Sequence, residues 1–167
     1  MSWTCTVCGE VHDEELRDIR AGLPDAVYEL DEDERRRRAD FGDDFGLLAD
    51  AGTTRHFVRG LLHLSIDGPG AEFSYGVWVE VDEPGFRLLE ERWHDPDGSE
   101  CGPVFGVLAN ELKPFSDTLG LPIALQLRDV RILPAAIVLT DDHELGRAQR
   151  ESISEGDADR LAETALH

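Results

Sequence analysis

Between Phe73 and Val81 the chain alternates without a break: Phe73, Tyr75, Val77, Val79 and Val81 fall on one side, Ser74, Gly76, Trp78 and Glu80 on the other. A period of two marks a strand with one apolar face. The preceding stretch HFVRGLLHLSI (56–66) alternates more loosely, with Leu62, Leu64 and Ile66 sharing a face, and DGPG (67–70) supplies the turn between the two. EPG (83–85) turns the chain again and FRLLEERW (86–93) reads as a third strand, so the three form an antiparallel meander. Further on, Ile123, Leu125 and Leu127 alternate against Ala124, Gln126 and Arg128, and AAIVLT (135–140) reads as a short buried strand.

Other segments follow helical spacing. DEELRDIRAGLPDAVYEL (13–30) predicts a short helix stopped by Gly22 and Pro24. DEDERRRRADF (31–41) places acids before arginines, the order that suits a helix macrodipole, and predicts a solvated helix. VFGVLANELKPF (104–115) carries Val104, Leu108 and Leu112 on one helical face until Pro114. Two helices close the chain, with Asp141 or Asp142 and then Ser154 as caps. The sum is α+β: a mostly antiparallel sheet with helices on one face, a single domain over 1–167, and an amino-terminal zinc-knuckle-like segment (1–14) packed on it.

Charge narrows the partners. With 36 acidic against 16 basic residues the formal net charge is −20, and Lys113 is the sole lysine. Such a field repels a phosphate backbone, so nucleic acid is not an expected partner. The acidity is a solvated surface or faces a basic protein partner. No apolar run approaches the roughly 20 residues of a membrane span, and no basic region precedes an apolar stretch at the start, so a cytoplasmic protein with no membrane partner is expected.

The chemistry concentrates at the amino end, in CTVCGEVH (5–12). Cys5 and Cys8 are separated by two residues, Gly9 allows the left-handed backbone that such a turn needs, and His12 follows. Thiolate and imidazole in tetrahedral array are the ligands zinc favours, so a zinc ion on Cys5, Cys8 and His12 is the expected cofactor. A redox pair and incidental buried cysteines are the competing readings. No second C-x-x-C exists, so a fourth ligand comes from far along the chain: Cys101 in the polar loop 94–103, or His143 at a helix start.

Five pieces of the chain, WTCTVCGEVH, HFVRGLLHLSI, FSYGVWVEV, FGVLANELKPFSDTLGL and DDHELGRAQRESIS, occur in this order. In this the chain resembles a bacterial family known as domain-of-unknown-function family 2199. The family carries D-H-P-L where Glu144 stands here, and Cys101 belongs to no motif of it. The resemblance implies His143 rather than Cys101 as the fourth ligand, and it implies no activity.

Catalytic signatures are missing. HELGR lacks the second histidine of H-E-x-x-H, GSECG is not a nucleophile elbow, and GPG is no dinucleotide fingerprint. Arg59, inside an apolar strand, reads as an outward residue or half of an internal ion pair, with an anion clamp as the sharper reading. Trp78, opposite the apolar stripe, reads as lining a second packed layer, with an exposed aromatic patch used for binding as the sharper reading. The function expected is therefore a non-enzymatic binding protein with a structural zinc. The alternative is a zinc-dependent hydrolase with an open Cys2His-type site, in which Asp142 or Glu144 is the base.

Overall fold

The computed structural model describes residues 3–4, 11–12, 18–68, 72–129 and 132–166. Two strands dominate it: β6 (Thr53–Ser65) and β7 (Glu72–Val81), an antiparallel pair in register from His56↔Val81 to Ser65↔Glu72. Each is long enough to have different neighbours along its length. The first half of β6 pairs with β5 (Phe45–Asp50), which in turn pairs with β4 (Ala39–Phe41). The first half of β7 pairs in parallel with β3 (Asp18–Arg20).

The other halves close a barrel. From β7 the ladder runs antiparallel through β8 (Val104–Leu108), β9 (Pro122–Gln126) and β10 (Ala135–Val138), and β10 returns in parallel to β6 at Ala135↔Leu61. The expected α+β class holds, but the open sheet does not: five strands form a ring. Closure gives each of those strands a neighbour on both sides, although β10 meets β6 at a single residue pair. The remaining pair, β1 (Trp3–Thr4) and β2 (Val11–His12), is antiparallel. Cys5 and Cys8 of the expected knuckle lie outside the described residues.

Two predicted elements change type. FRLLEERW belongs to helix α3 (Glu83–Arg92) rather than a strand. Asp82 caps it, its carboxylate accepting from Gly85 N at 2.8 Å, and Phe86 and Leu89 fall three apart on the buried face. VFGVL is β8 rather than a helix. A side chain at Gly106 would meet Glu80 O within 2.3 Å, so only glycine admits the approach of β7 at this position. The predicted helix over 13–30 shrinks to α1 (Asp25–Tyr28), with β3 ahead of it. The acid-then-arginine stretch forms α2 (Glu32–Arg38) as expected, capped by Asp31. The closing helices are α4 (Glu144–Arg150) and α5 (Glu155–Leu166). Ser154 caps α5 as predicted, but α4 is capped by His143 rather than by Asp141 or Asp142.

β6 and β7 are buried on both faces where they cross. Val58, Val77 and Val79 face the main core, together with Leu62, Leu125 and Val138. Phe57 and Trp78 face a second, smaller core with Val27, Leu48 and Ala109. The second packed layer expected around Trp78 is present.

Candidate functional site

Described residues from three of the sequence motifs, Arg59, Trp78 and Asn110, are occupied in holding this fold together. Arg59 is 3% exposed, which alone would make it a strong functional candidate. Its guanidinium, however, donates from Nε to Asp43 O at 2.8 Å, from Nη1 to Ala21 O at 2.8 Å and from Nη2 to Gly22 O at 3.4 Å. It also lies 4.4 Å above the ring of Trp78. Burial, reinforced by the neighbouring Arg20 charge, pulls its pKa down to about 10, so it remains a cation at neutral pH. Among the described residues it is neither an outward residue, nor half of an ion pair, nor an open anion clamp. Three carbonyls and an aromatic face satisfy it.

Trp78 and Asn110 complete the same node. The Trp78 indole donates from Nε1 to Gly22 O at 3.2 Å. Asn110, 3% exposed, accepts from Trp78 N at 2.8 Å and donates to Leu23 O at 2.9 Å and to Asp25 Oδ1 at 3.2 Å. Three motif residues far apart in sequence thus fasten one segment, 21–25, the stretch that leads in from the amino end.

The D-H and Q-x-x-x-I piece acts likewise at the other side of the barrel. His143 accepts from Leu145 N at Nδ1 (3.0 Å), and its Nε2 donates to Ser116 O (2.8 Å). Gln149 accepts from Val138 N (2.8 Å) and donates to Ala136 O (2.9 Å), which pins α4 to β10. Both imidazole nitrogens of His143 are therefore engaged, and a zinc ion would have to displace one of these bonds. Cys101 is a free thiol at the opposite end of β9, where its carbonyl accepts from Gln126 Nε2 at 3.0 Å. His143 follows β10 past the Ile123 end of that strand, so the two cannot serve one site. Cys5, Cys8 and the His12 side chain lie outside the described residues, and among the described residues no cluster of metal-ligating groups forms.

His143→Ala is expected to lower stability by about 1–2 kcal/mol, through the lost cap and the lost Ser116 bond. Elemental analysis of the same variant separates the two roles. Zinc bound by the wild type and retained in the variant would leave capping as its task, and zinc bound by the wild type but lost from a folded variant would make His143 a ligand.

One polar constellation looks catalytic on paper. Ser74 Oγ lies 3.1 Å and Glu72 Oε1 2.9 Å from His63, but both approach the same nitrogen, Nδ1. A relay needs nucleophile and carboxylate on opposite ring nitrogens. Here Nε2 instead faces Arg128 Nη1 at 3.3 Å, so the geometry is that of a surface network.

A cleft of about 510 Å³ lies between α3 and the β4–β5–β6 extension. Its aromatic floor is Phe45, Phe86 and His56, whose rings touch: Phe45 meets Phe86 edge-on at 5.4 Å, and His56 lies 5.1 Å from Phe86. Asp40, Glu83 and Glu90 line its walls. Arg87 also lines it but turns back onto Glu83, donating from Nε and Nη2 at 2.9 and 2.7 Å. Asp40 and Glu90 therefore set its charge. Aromatic faces beside carboxylates favour a guanidinium or ammonium group. Sequence reasoning missed this site because the segment was assigned the wrong period. Glu83, Phe86, Arg87 and Glu90 share a face only on a helix.

A family model described as an uncharacterized protein conserved in bacteria, DUF2199, matches residues 4–153. No curated protein and no solved structure matches the chain.

Proposed function

This chain belongs to the DUF2199 family of uncharacterised bacterial proteins, and from that premise we propose that it is a non-enzymatic binding protein that engages a basic protein partner. The observation that carries the reading is the cleft under α3, an aromatic floor with uncompensated carboxylates at its walls. Its volume, about 510 Å³, is enough to take an arginine or lysine side chain with part of its backbone. The net charge of −20 draws a basic partner in, and the cleft gives the encounter a place to become specific.

Zinc, on this reading, is structural. Cys5, Cys8 and His12 supply thiolate and imidazole donors, and His143 is the candidate fourth ligand at the loss of one backbone bond. The ion would tie down an amino-terminal stretch whose continuation, 21–25, the body already grips through Arg59, Trp78 and Asn110. Zinc analysis of untagged wild-type protein and Cys8→Ser tests this half: one ion per chain is expected, lost in the variant together with thermal stability.

The cleft is tested with a short arginine-containing peptide, read by isothermal titration at about 0.15 M salt. Asp40→Asn with Glu90→Gln is expected to weaken the peptide roughly tenfold or more. Glu144→Gln with Glu155→Gln removes the same charge elsewhere and is expected to change affinity less than about twofold. Equal losses in the two double variants would mean that bulk charge, not the cleft, holds the peptide.

A further inference from the structure

The outer wall made by β8, β9 and β10 carries no charge, in a chain where 31% of residues are charged. The register explains what it presents. Phe105 and Ile137 both pair with Ala124, so the three form one row across the strands. Val107 pairs with Pro122, and Leu139 N donates to Pro122 O, which makes a second row beside the first. Phe105 is 62%, Ile137 44% and Leu139 45% exposed, whereas Ala124 between the larger side chains is only 6% exposed. The wall is a continuous apolar surface rather than scattered exposed residues.

We propose that this wall is the contact face of a two-fold homodimer. Charge selects the occupant. A basic partner would find no carboxylate on the wall. Where the wall ends, arginine–carboxylate pairs stand on its margins: Arg150 with Asp141 at 2.8 Å on one, Arg55 with Glu80 at 2.7 Å on the other. Glu80 is the register partner of Val107, so this second pair sits directly beside the wall. Two copies of a chain with net charge −20 repel over most of their surface, and this neutral wall is a face on which they can meet.

The area fits the same occupant. Covering the exposed parts of these side chains removes on the order of 400 Å² of apolar surface per chain, the size at which a monomer's patch is ordinarily in use. With its polar margins included, an isologous pair reaches roughly 1,200 Å² in total, the lower range of specific interfaces. Because β8 and β9 are flanked by strands on both sides and Gln149 covers β10 beyond Ala135, the copies associate through side chains rather than by strand addition.

Sedimentation velocity on the full chain from about 1 to 100 µM tests this, with and without added salt. A reversible dimer is expected in the micromolar range, tightening several-fold as salt screens the repulsion. Phe105→Asp and Ile137→Asp are each expected to weaken it more than about tenfold with an unchanged melting temperature. Thr54→Asp, the same charge placed on an exposed strand end, is expected to weaken it less than about twofold. Should an aspartate variant prove misfolded, Phe105→Ser gives the same readout without adding charge. A wild type that stays monomeric to about 100 µM in high salt overturns the proposal. So does a dimer that none of the wall variants weakens, or one that loosens as salt rises. None of these outcomes bears on the cleft, whose peptide binding is measured separately.

Discussion

Trp78→Ala is expected to destabilise the protein by about 3–5 kcal/mol, the range for deleting a fully buried aromatic. No part of Trp78 is exposed, and it is among the largest of the fully buried side chains. It fills the second core, meeting Phe41 edge-on at 5.2 Å, and its loss also removes the aromatic face from Arg59 and a donor from Gly22 O. Chemical denaturation followed by circular dichroism measures the change. Trp78→Phe separates the contributions, since it keeps most of the volume and loses the indole donor, and about a third to a half of the full effect is expected for it. A loss below about 1 kcal/mol for Trp78→Ala would mean that the second core is not part of the cooperative unit.

Arg59→Met is expected to cost about 3 kcal/mol. Methionine replaces the aliphatic stem but removes the charged donor from the part-buried bonds to Asp43 O and Ala21 O, and a hydrogen bond to a charged group is worth about 1.5–3 kcal/mol. Offsetting this, the variant no longer desolvates a charge, which is why the estimate stays below the sum of the broken bonds. Arg59→Lys is expected to recover less than half, because an ammonium cannot reach three divergent carbonyls and stack on Trp78 together. The node also predicts coupling. In a double-mutant cycle Arg59→Met and Trp78→Ala are expected to fall short of additivity by about 1 kcal/mol or more, since each removes the other's partner. Additive losses would show that the 4.4 Å stacking contributes nothing.

These two residues show why a motif is not yet a site. An arginine in an apolar strand and a tryptophan facing away from the main stripe stand out in the sequence because each breaks the local rule of its strand. Breaking a local rule is compatible with binding or with packing, and the pattern does not distinguish them. What distinguishes them is where the partners come from: Ala21 and Gly22 lie 38 and 37 residues before Arg59, and Leu23 lies 87 before Asn110. Nothing local places those carbonyls.

The cleft was hidden for a related reason. FRLLEERW, taken alone, satisfies a strand as readily as a helix, because a short apolar run has no decisive period. Asp82 at the cap and Pro84 in the first turn were the available helix signals. Once the segment is helical, Glu83, Phe86 and Glu90 line up, but the opposite wall still comes from Asp40 and His56 on separate strands.

Local chemistry by itself determined a good deal. The clean alternation of 73–81 could bury its valines only as a strand, Asp31 and Ser154 start helices wherever the chain goes, and the acids before the arginines of 31–38 suit one helix direction. The charge of −20 and the Cys5, Cys8, His12 spacing are likewise properties of the chain alone. The tertiary structure decided the rest: that β10 returns to β6 and turns a sheet into a barrel, that VFGVL is its third wall, that His143 caps a helix, and that the uncharged strands share one outer face. The reason is physical. Caps and periodicity are set by neighbours within a few residues, whereas closure, register and the partners of a buried cation depend on groups tens of residues away, which only packing brings together.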